Sequence, residues 1–272
     1  MPKKRKESKP KKPSRYAAII SEIFKRHYRP GNTEFEFTRD ELEKVAADNN
    51  IEDPKNLGDN LYSFRFRVKL PGEIRETAPE GKQWIIALAG RSRYRFKLVT
   101  AGNIIPRADL VTIKIPDATP EIIATYALRD EQALLCAKVR YNRLIDIFLG
   151  ITAYSLQNHL RTTVEGMGQI EIDEIYVGVN RSGQQFVIPV QAKGGSDKLG
   201  VTQTMQDLAC CAQKFPQLTC RPISAQFMAN DVIALFELTA EGDAVKVVEE
   251  RHYKLVPYDQ IGAEELKAYA KR

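Results

Sequence analysis

Gly168-Gln-Ile-Glu-Ile-Asp173 and, after a turn, Phe186-Val-Ile-Pro-Val-Gln-Ala-Lys193-Gly-Gly decide how this chain is read. Both stretches are rich in β-branched residues and bounded by turn formers, which predicts strands over 169–179 and 184–192. Asn180-Arg-Ser-Gly183 between them predicts a hairpin turn. Residues two apart on a strand share a face, so Gln191 pairs with Lys193 and Glu171 with Asp173, while Glu174 points the other way. Antiparallel pairing would set Asp173 beside Gln191 and Lys193. A carboxylate, an amide oxygen and an ammonium would then meet at one point, a set suited to holding a divalent cation and steering a water.

The surrounding order is equally informative. Thr119-Pro120-Glu121 is a helix start with Pro at the first helical position. A longer helix is expected over 131–149, a strand over 154–164 and a tight turn at Glu165-Gly166-Met167-Gly168. After the two strands, 199–214 reads as a helix with Val201, Met205, Leu208 and Ala212 on one face. Strands over 218–227 and 232–238 follow. The fold class is therefore α/β, with a mixed β-sheet core flanked by helices.

At Asp173 and Gln191-Ala192-Lys193 the chain resembles the PD-(D/E)XK nuclease superfamily, and within it the restriction endonucleases. The pattern there is an Asp on one strand and a (D/E)-X-K tripeptide on the next. Here the first tripeptide position is Gln, as in Mrr-type members, and Gly194-Gly195 suits that comparison. The order of elements over roughly 130–238 fits as well. The resemblance implies an endonuclease acting on double-stranded DNA with Mg2+ as cofactor, most simply of a Type II restriction system working as a homodimer. It implies Asp173 as anionic metal ligand, Gln191 through its side-chain oxygen, the Ala192 carbonyl as neutral ligand, and Lys193 acting on the attacking water. Glu171, on the face of Asp173, is a candidate second carboxylate; Glu131 and Asp146 are candidate helix acids. Gln157, His159 and Arg161 on the preceding strand are candidate DNA contacts, as are Lys198 and Gln203 at the following helix start. Two alternatives stand beside this reading. One is a DNA-binding regulator with an inactive nuclease-like domain, the other a repair or methyl-dependent nuclease of the same superfamily.

Residues 14–115 form a separate part ahead of a nuclease domain at 116–272. A helix is expected over 16–28, and Thr38-Arg-Asp-Glu41 is a capping box that starts a second. A third is expected over 54–67, and a hairpin with a basic tip over 83–98. Three helices and a hairpin resemble a winged helix, whose third helix enters the major groove while the wing meets phosphates. Residues 61–107 hold ten Lys or Arg against three Glu, a net of +7. Asn56, Asn60, Ser63, Arg65 and Arg67 on the helix, and Arg91, Arg93 and Arg95 at the wing, are the candidate DNA contacts.

The net charge of +6 over 272 residues has one main source. Residues 1–15 carry eight Lys or Arg against Glu7, a net of +7, which leaves the remainder near neutrality. Such a Lys-rich arm, over 1–13, buries nothing and is expected to be disordered and to track phosphates in a salt-sensitive way. Lys3-Lys4-Arg5-Lys6 also matches a nuclear-import pattern. No apolar run is long enough to span a bilayer, and a cytoplasmic protein is expected. Cys136, Cys210, Cys211 and Cys220 form no C-x-x-C pair, so thiols are expected as small core residues. His27, His159 and His252 lie far apart, which argues against a zinc cluster. There is no P-loop and no G-x-S-x-G elbow.

Overall fold

The computed structural model describes residues 15–49, 57–102, 104–126, 131–194 and 200–270, except for the side chains of 57, 59, 60, 124 and 131–133. The expected basic arm, Asn56 and Lys198 lie outside the described residues, as do the side chains of Asn60 and Glu131. The chain divides into two compact units at the Val99–Thr100 junction. That junction precedes the expected boundary at Ile115, because Thr112–Pro116 is a strand of the second unit's sheet.

The first unit contains α1 (Arg15–His27), β1 (Glu34–Thr38), α2 (Arg39–Asp48), α3 (Leu57–Phe66), α4 (Gly72–Arg75), β2 (Lys82–Leu88) and β3 (Arg93–Thr100). Its three-stranded sheet runs β1-β3-β2. The capping box forms as expected: Glu41 N–H donates to Thr38 Oγ1 at 3.3 Å, and Thr38 N–H donates to Glu41 Oε1 at 2.9 Å. Strand β1 is absent from the sequence-based expectation, although Glu34-Phe-Glu-Phe-Thr38 alternates with period two. Antiparallel pairing with β3 places Phe35 across from Phe96 and Glu36 across from Arg95. Phe37 and Phe96 are buried against Ile19, Ile23 and Phe24 of α1. Phe24 meets Trp84 and Phe96 edge-on at 5.3 and 5.1 Å, the arrangement that ring quadrupoles favour.

The second unit contains β4 (Thr112–Pro116), α5 (Glu121–Tyr126), α6 (Glu131–Tyr141), α7 (Leu144–Leu149), β5 (Thr152–Val164), β6 (Gly168–Val179), β7 (Gln185–Lys193), α8 (Val201–Lys214), β8 (Thr219–Cys220), β9 (Ile223–Phe227), β10 (Val232–Glu241), β11 (Ala244–Val256) and α9 (Ala263–Tyr269). These give a mixed α/β unit with one large sheet of order β4-β11-β10-β9-β7-β6-β5, and β8 beside β7. Strands β5, β6 and β7 are antiparallel neighbours, as are β9, β10 and β11. Strand β9 runs parallel to β7 after the crossover through α8, and β4 runs parallel to β11. The hairpin turn forms where expected, with Gly183 at φ 80° and its N–H on Asn180 O.

Two helix expectations need correction. The single helix over 131–149 is broken at Asn142-Arg143, where Arg143 takes φ 51°. The break has a cause: Asn142 is buried and its side chain accepts from Ala118 N and donates to Thr119 Oγ1, at 2.7 and 2.9 Å. Helix α8 occupies the expected span but buries the wrong face for its pattern. Val201 is buried as expected, but Ala212 is exposed and Met205 and Leu208 are half-buried, whereas Gln203, Gln206, Asp207 and Cys210 are buried.

Strand β7 is buried along all but its first residue and is covered on both faces. Phe186, Ile188, Val190 and Ala192 join the main core with Leu135 and Val139 of α6 and Leu144, Ile145 and Phe148 of α7. The alternate residues, Gln191 and Lys193 among them, lie on the side of α8.

Candidate active site

The site grows out of the β6–β7 register. Glu174 pairs with Val190 and Ile175 with Pro189, which sets Asp173 across from Gln191. Ala192 N–H donates to Asp173 Oδ2 at 2.8 Å, which ties the carboxylate to the neighbouring strand. On the other side of β7, Gln191 pairs with Ser224 of β9 and Lys193 with Gln226. A polar row therefore crosses three central strands, with Asp173 6%, Gln191 3%, Lys193 8% and Ser224 4% exposed.

Burying such groups is costly unless each finds a partner. Helix α8 provides them. Gln203 and Asp207, one turn apart, face the row. Gln203 Nε2 donates to Gln191 Oε1 at 3.1 Å, and Gln191 Nε2 donates to Asp207 Oδ1 at 3.1 Å, with the Glu171 carbonyl 3.4 Å from the same nitrogen. The Glu171 carbonyl can only accept, so the amide orientation of Gln191 follows from its surroundings. Burial pushes the Asp207 carboxyl well above the usual carboxylate range. The Gln191 hydrogen bond pulls it down, the Asp173 charge pushes it up and Lys193 pulls it down. Sequence reasoning missed Asp207 and Ser224; Gln203, an expected phosphate contact, is buried and donates to Gln191. The signal available in the sequence was the run Gln203-Thr-Met-Gln-Asp207, polar where a core helix should be apolar.

Glu171 differs from the rest of the group. It is on the face of Asp173 as expected, but its side chain is 42% exposed and bound to strand β5. Arg161 Nε donates to Glu171 Oε2 at 3.0 Å, and His159 Nδ1 lies 3.5 Å from Glu171 Oε1. Gln157 is exposed on the same strand, just past a bulge at Ser155/Gln157. Glu174 lies in the opposite layer, as its parity requires, and is bound by Arg140 and by the Tyr176 hydroxyl. Asp146 does not approach the row: it accepts from Ala153 N at 3.0 Å and pairs with Arg143, closing the turn into β5.

In the first unit, Arg67 is exposed and lies 5.3 Å from the Tyr62 ring. Ser63 is half-buried, its carbonyl accepting from the N–H groups of Arg67 and Val68. Arg65 is drawn inward, 4.5 Å over Phe66, and burial lowers its guanidinium to about 10. Arg91 is exposed at the hairpin tip. Arg93 and Arg95 both bind Glu36, and Arg95 also lies 3.5 Å from Glu34, so β1 neutralises much of the expected basic wing.

The oxygens of Asp173 and Gln191, with the Ala192 carbonyl, are hard donors of the kind Mg2+ takes, and that ion completes its shell with water. One lone pair of Gln191 Oε1 is occupied by Gln203, which leaves one. Among the described residues no group of three His, Cys, Asp or Glu side chains is placed to hold a metal, so a cation here would draw on the Asp173 carboxylate together with amide, carbonyl and water oxygens. Comparison with protein-family models, curated proteins and solved structures finds no match for the chain.

Proposed function

We propose that the second unit is a Mg2+-dependent endonuclease for double-stranded DNA of the PD-(D/E)XK type, most simply a Type II restriction enzyme. We read the first unit as its winged-helix-like DNA-binding domain. One observation carries the reading: a carboxylate, an amide and a lysine, each over nine-tenths buried, sit together on the central strands β6 and β7. Buried ionisable groups clustered in this way are expensive to keep and mark functional sites. The strand order supports it: three antiparallel strands, then a helical crossover to a strand parallel with the third. In the first unit, helix, strand, three helices (the last a single turn) and a hairpin with sheet order β1-β3-β2 support the winged-helix-like assignment.

When bound, Mg2+ would relieve charge on the phosphate oxygens and acidify a water. The chain's own groups do the positioning. Ala192 N–H fixes the Asp173 carboxylate. Gln203 and Asp207 hold the Gln191 amide from both ends. Lys193, on the same face, orients the attacking water and stabilises the charge that develops at phosphorus. Two such centres are needed to cut both strands, which makes a homodimer the simplest assembly.

The test is digestion of a mixed-sequence plasmid with Mg2+, comparing the wild type with Asp173→Asn and Lys193→Ala. Site-specific fragments from the wild type alone are expected. A second reading is a DNA-binding regulator whose nuclease-like unit is inactive. The occupied oxygen of Gln191 favours it, since a hydrogen bond already uses one of the two lone pairs. Under that reading the plasmid stays intact while duplex DNA is still bound.

A further inference from the structure

Asp173, Gln191 and Lys193 are buried, whereas Glu171, on the same face, reaches solvent. Among the described residues, Glu171 with Arg161 and His159 of β5 forms a solvent-facing rim beside the group. The register makes this rim a built feature. Arg161 is the direct cross-strand partner of Glu171, and His159 falls across from Asp173, between the Asn158–Glu174 and Leu160–Ile172 pairs. His159 holds φ 46°, a left-handed conformation that costs a non-glycine residue energy and recurs at functional sites. In the free protein the Glu171 carboxylate is thus held by two basic side chains.

Building on the nuclease reading, we propose that Arg161 and His159 exchange partners when DNA binds. A backbone phosphate takes their N–H groups, and the released Glu171 carboxylate becomes the second anionic ligand of the metal beside Asp173. The exchange is chemically natural. Both contacts are solvent-exposed, with Arg161 68% and His159 64% exposed, and exposed polar pairs are weak and easily traded. Arginine binds phosphate in the same forked geometry in which it binds a carboxylate. Gln191 brings no charge to the site, so a carboxylate released by substrate would restore the missing negative charge when the substrate arrives. Metal affinity and DNA affinity are then coupled, and by reciprocity each strengthens the other.

The experiment is calorimetric titration of the full chain with Ca2+, which binds without supporting chemistry. It is run alone and with a mixed-sequence duplex, on wild type, Arg161→Ala, Arg161→Lys, Glu171→Gln and Asp173→Asn. The wild type should bind Ca2+ more tightly with DNA present. Arg161→Ala should bind Ca2+ alone about 2- to 5-fold more tightly than wild type, the scale of one exposed ion pair. The same variant should bind DNA more weakly, with a salt slope shallower by about one. Arg161→Lys, which keeps the charge but loses the fork, should fall between wild type and Arg161→Ala, and Glu171→Gln should abolish the DNA-dependence of Ca2+ binding. If Arg161→Ala leaves Ca2+ affinity unchanged while Asp173→Asn removes it, the exchange is wrong and the metal site stands. If the wild type binds neither Ca2+ nor Mg2+ in the presence or absence of DNA, the nuclease reading itself fails.

Discussion

The two faces of strand β7 present opposite solutions to burial. On one, Ile188, Val190 and Ala192 meet α6 and α7 in an apolar layer that needs no orientation beyond shape. On the other, Gln191 and Lys193 lie under α8 at similar burial, and specific hydrogen bonds run through the polar group: Gln203 donates to Gln191, Gln191 to Asp207, and Ala192 N–H to Asp173. Native proteins do not place polar side chains at the centre of a sheet for stability, because an apolar set of the same shape serves as well or better. The difference is that the apolar face packs by shape alone, while the polar residues are held in place by directed hydrogen bonds.

The sharpest way to break the comparison is to change one residue on each face. Asp173→Asn and Lys193→Ala should each lower cleavage by about 10²-fold or more, measured on protein shown to be folded by circular dichroism. Retention of activity by both would remove the polar face from catalysis. Ile188→Ala, on the apolar face, should cost about 3 kcal/mol in chemical denaturation, within the range for a fully buried residue of its size. Activity below the melting point should persist. Gln191→Glu sharpens the contrast further: the new carboxylate would lie against Asp207 with no amide N–H to donate. A loss of about 2 kcal/mol at neutral pH is expected by denaturant titration, smaller at acid pH where the pair is protonated.

Asp207 offers a gentler test. Its folded pKa lies above its ordinary 3.8, so the folded state binds the proton more tightly than the unfolded chain. That stabilisation is fully present below pH 3.8 and is lost as pH rises through the folded value. Asp207→Asn should therefore flatten the fall of stability with rising pH above about pH 4, read by melting scans across pH. The smallest effect is expected at the hairpin of the first unit. Arg91→Ala should reduce the salt slope of DNA binding by about one, and Arg93→Ala and Arg95→Ala by less, because Glu36 already holds both side chains.

Much of the second unit's layout was legible in its sequence because β-branched residues bounded by turn formers mark β6 and β7, and turn chemistry marks the hairpin between them. The Asp173–Gln191–Lys193 grouping was expected from strand parity with antiparallel pairing, and from the nuclease resemblance. Strand β11 was not expected: Lys246-Val-Val-Glu-Glu-Arg-His252 interrupts alternation, and the strand is held by pairing with β10 and β4 rather than by its own pattern. The face of α8 was misread for a related reason. Helical periodicity ranks positions by hydrophobicity, so it selects Met205, Leu208 and Ala212 and discards Gln203 and Asp207. Only the register that places Gln191 and Asp173 beneath the helix shows why polar residues are buried there. The broken helix at Asn142 likewise depends on a bond to Ala118 that no local window contains.

Strand β4 carries a consequence for how this chain is made. Its neighbour in the sheet is β11, with Thr112 matched to His252 and Pro116 to Val256. During synthesis, at roughly 5–20 residues per second, β4 emerges early and has to wait unpaired until nearly the whole second unit has been translated. Its backbone groups face water or a chaperone in the meantime, and pairing of so non-local a kind closes late and slowly. Nascent chains stalled before Ala244 should leave Thr112–Pro116 open to protease, and release of the next strand should protect it.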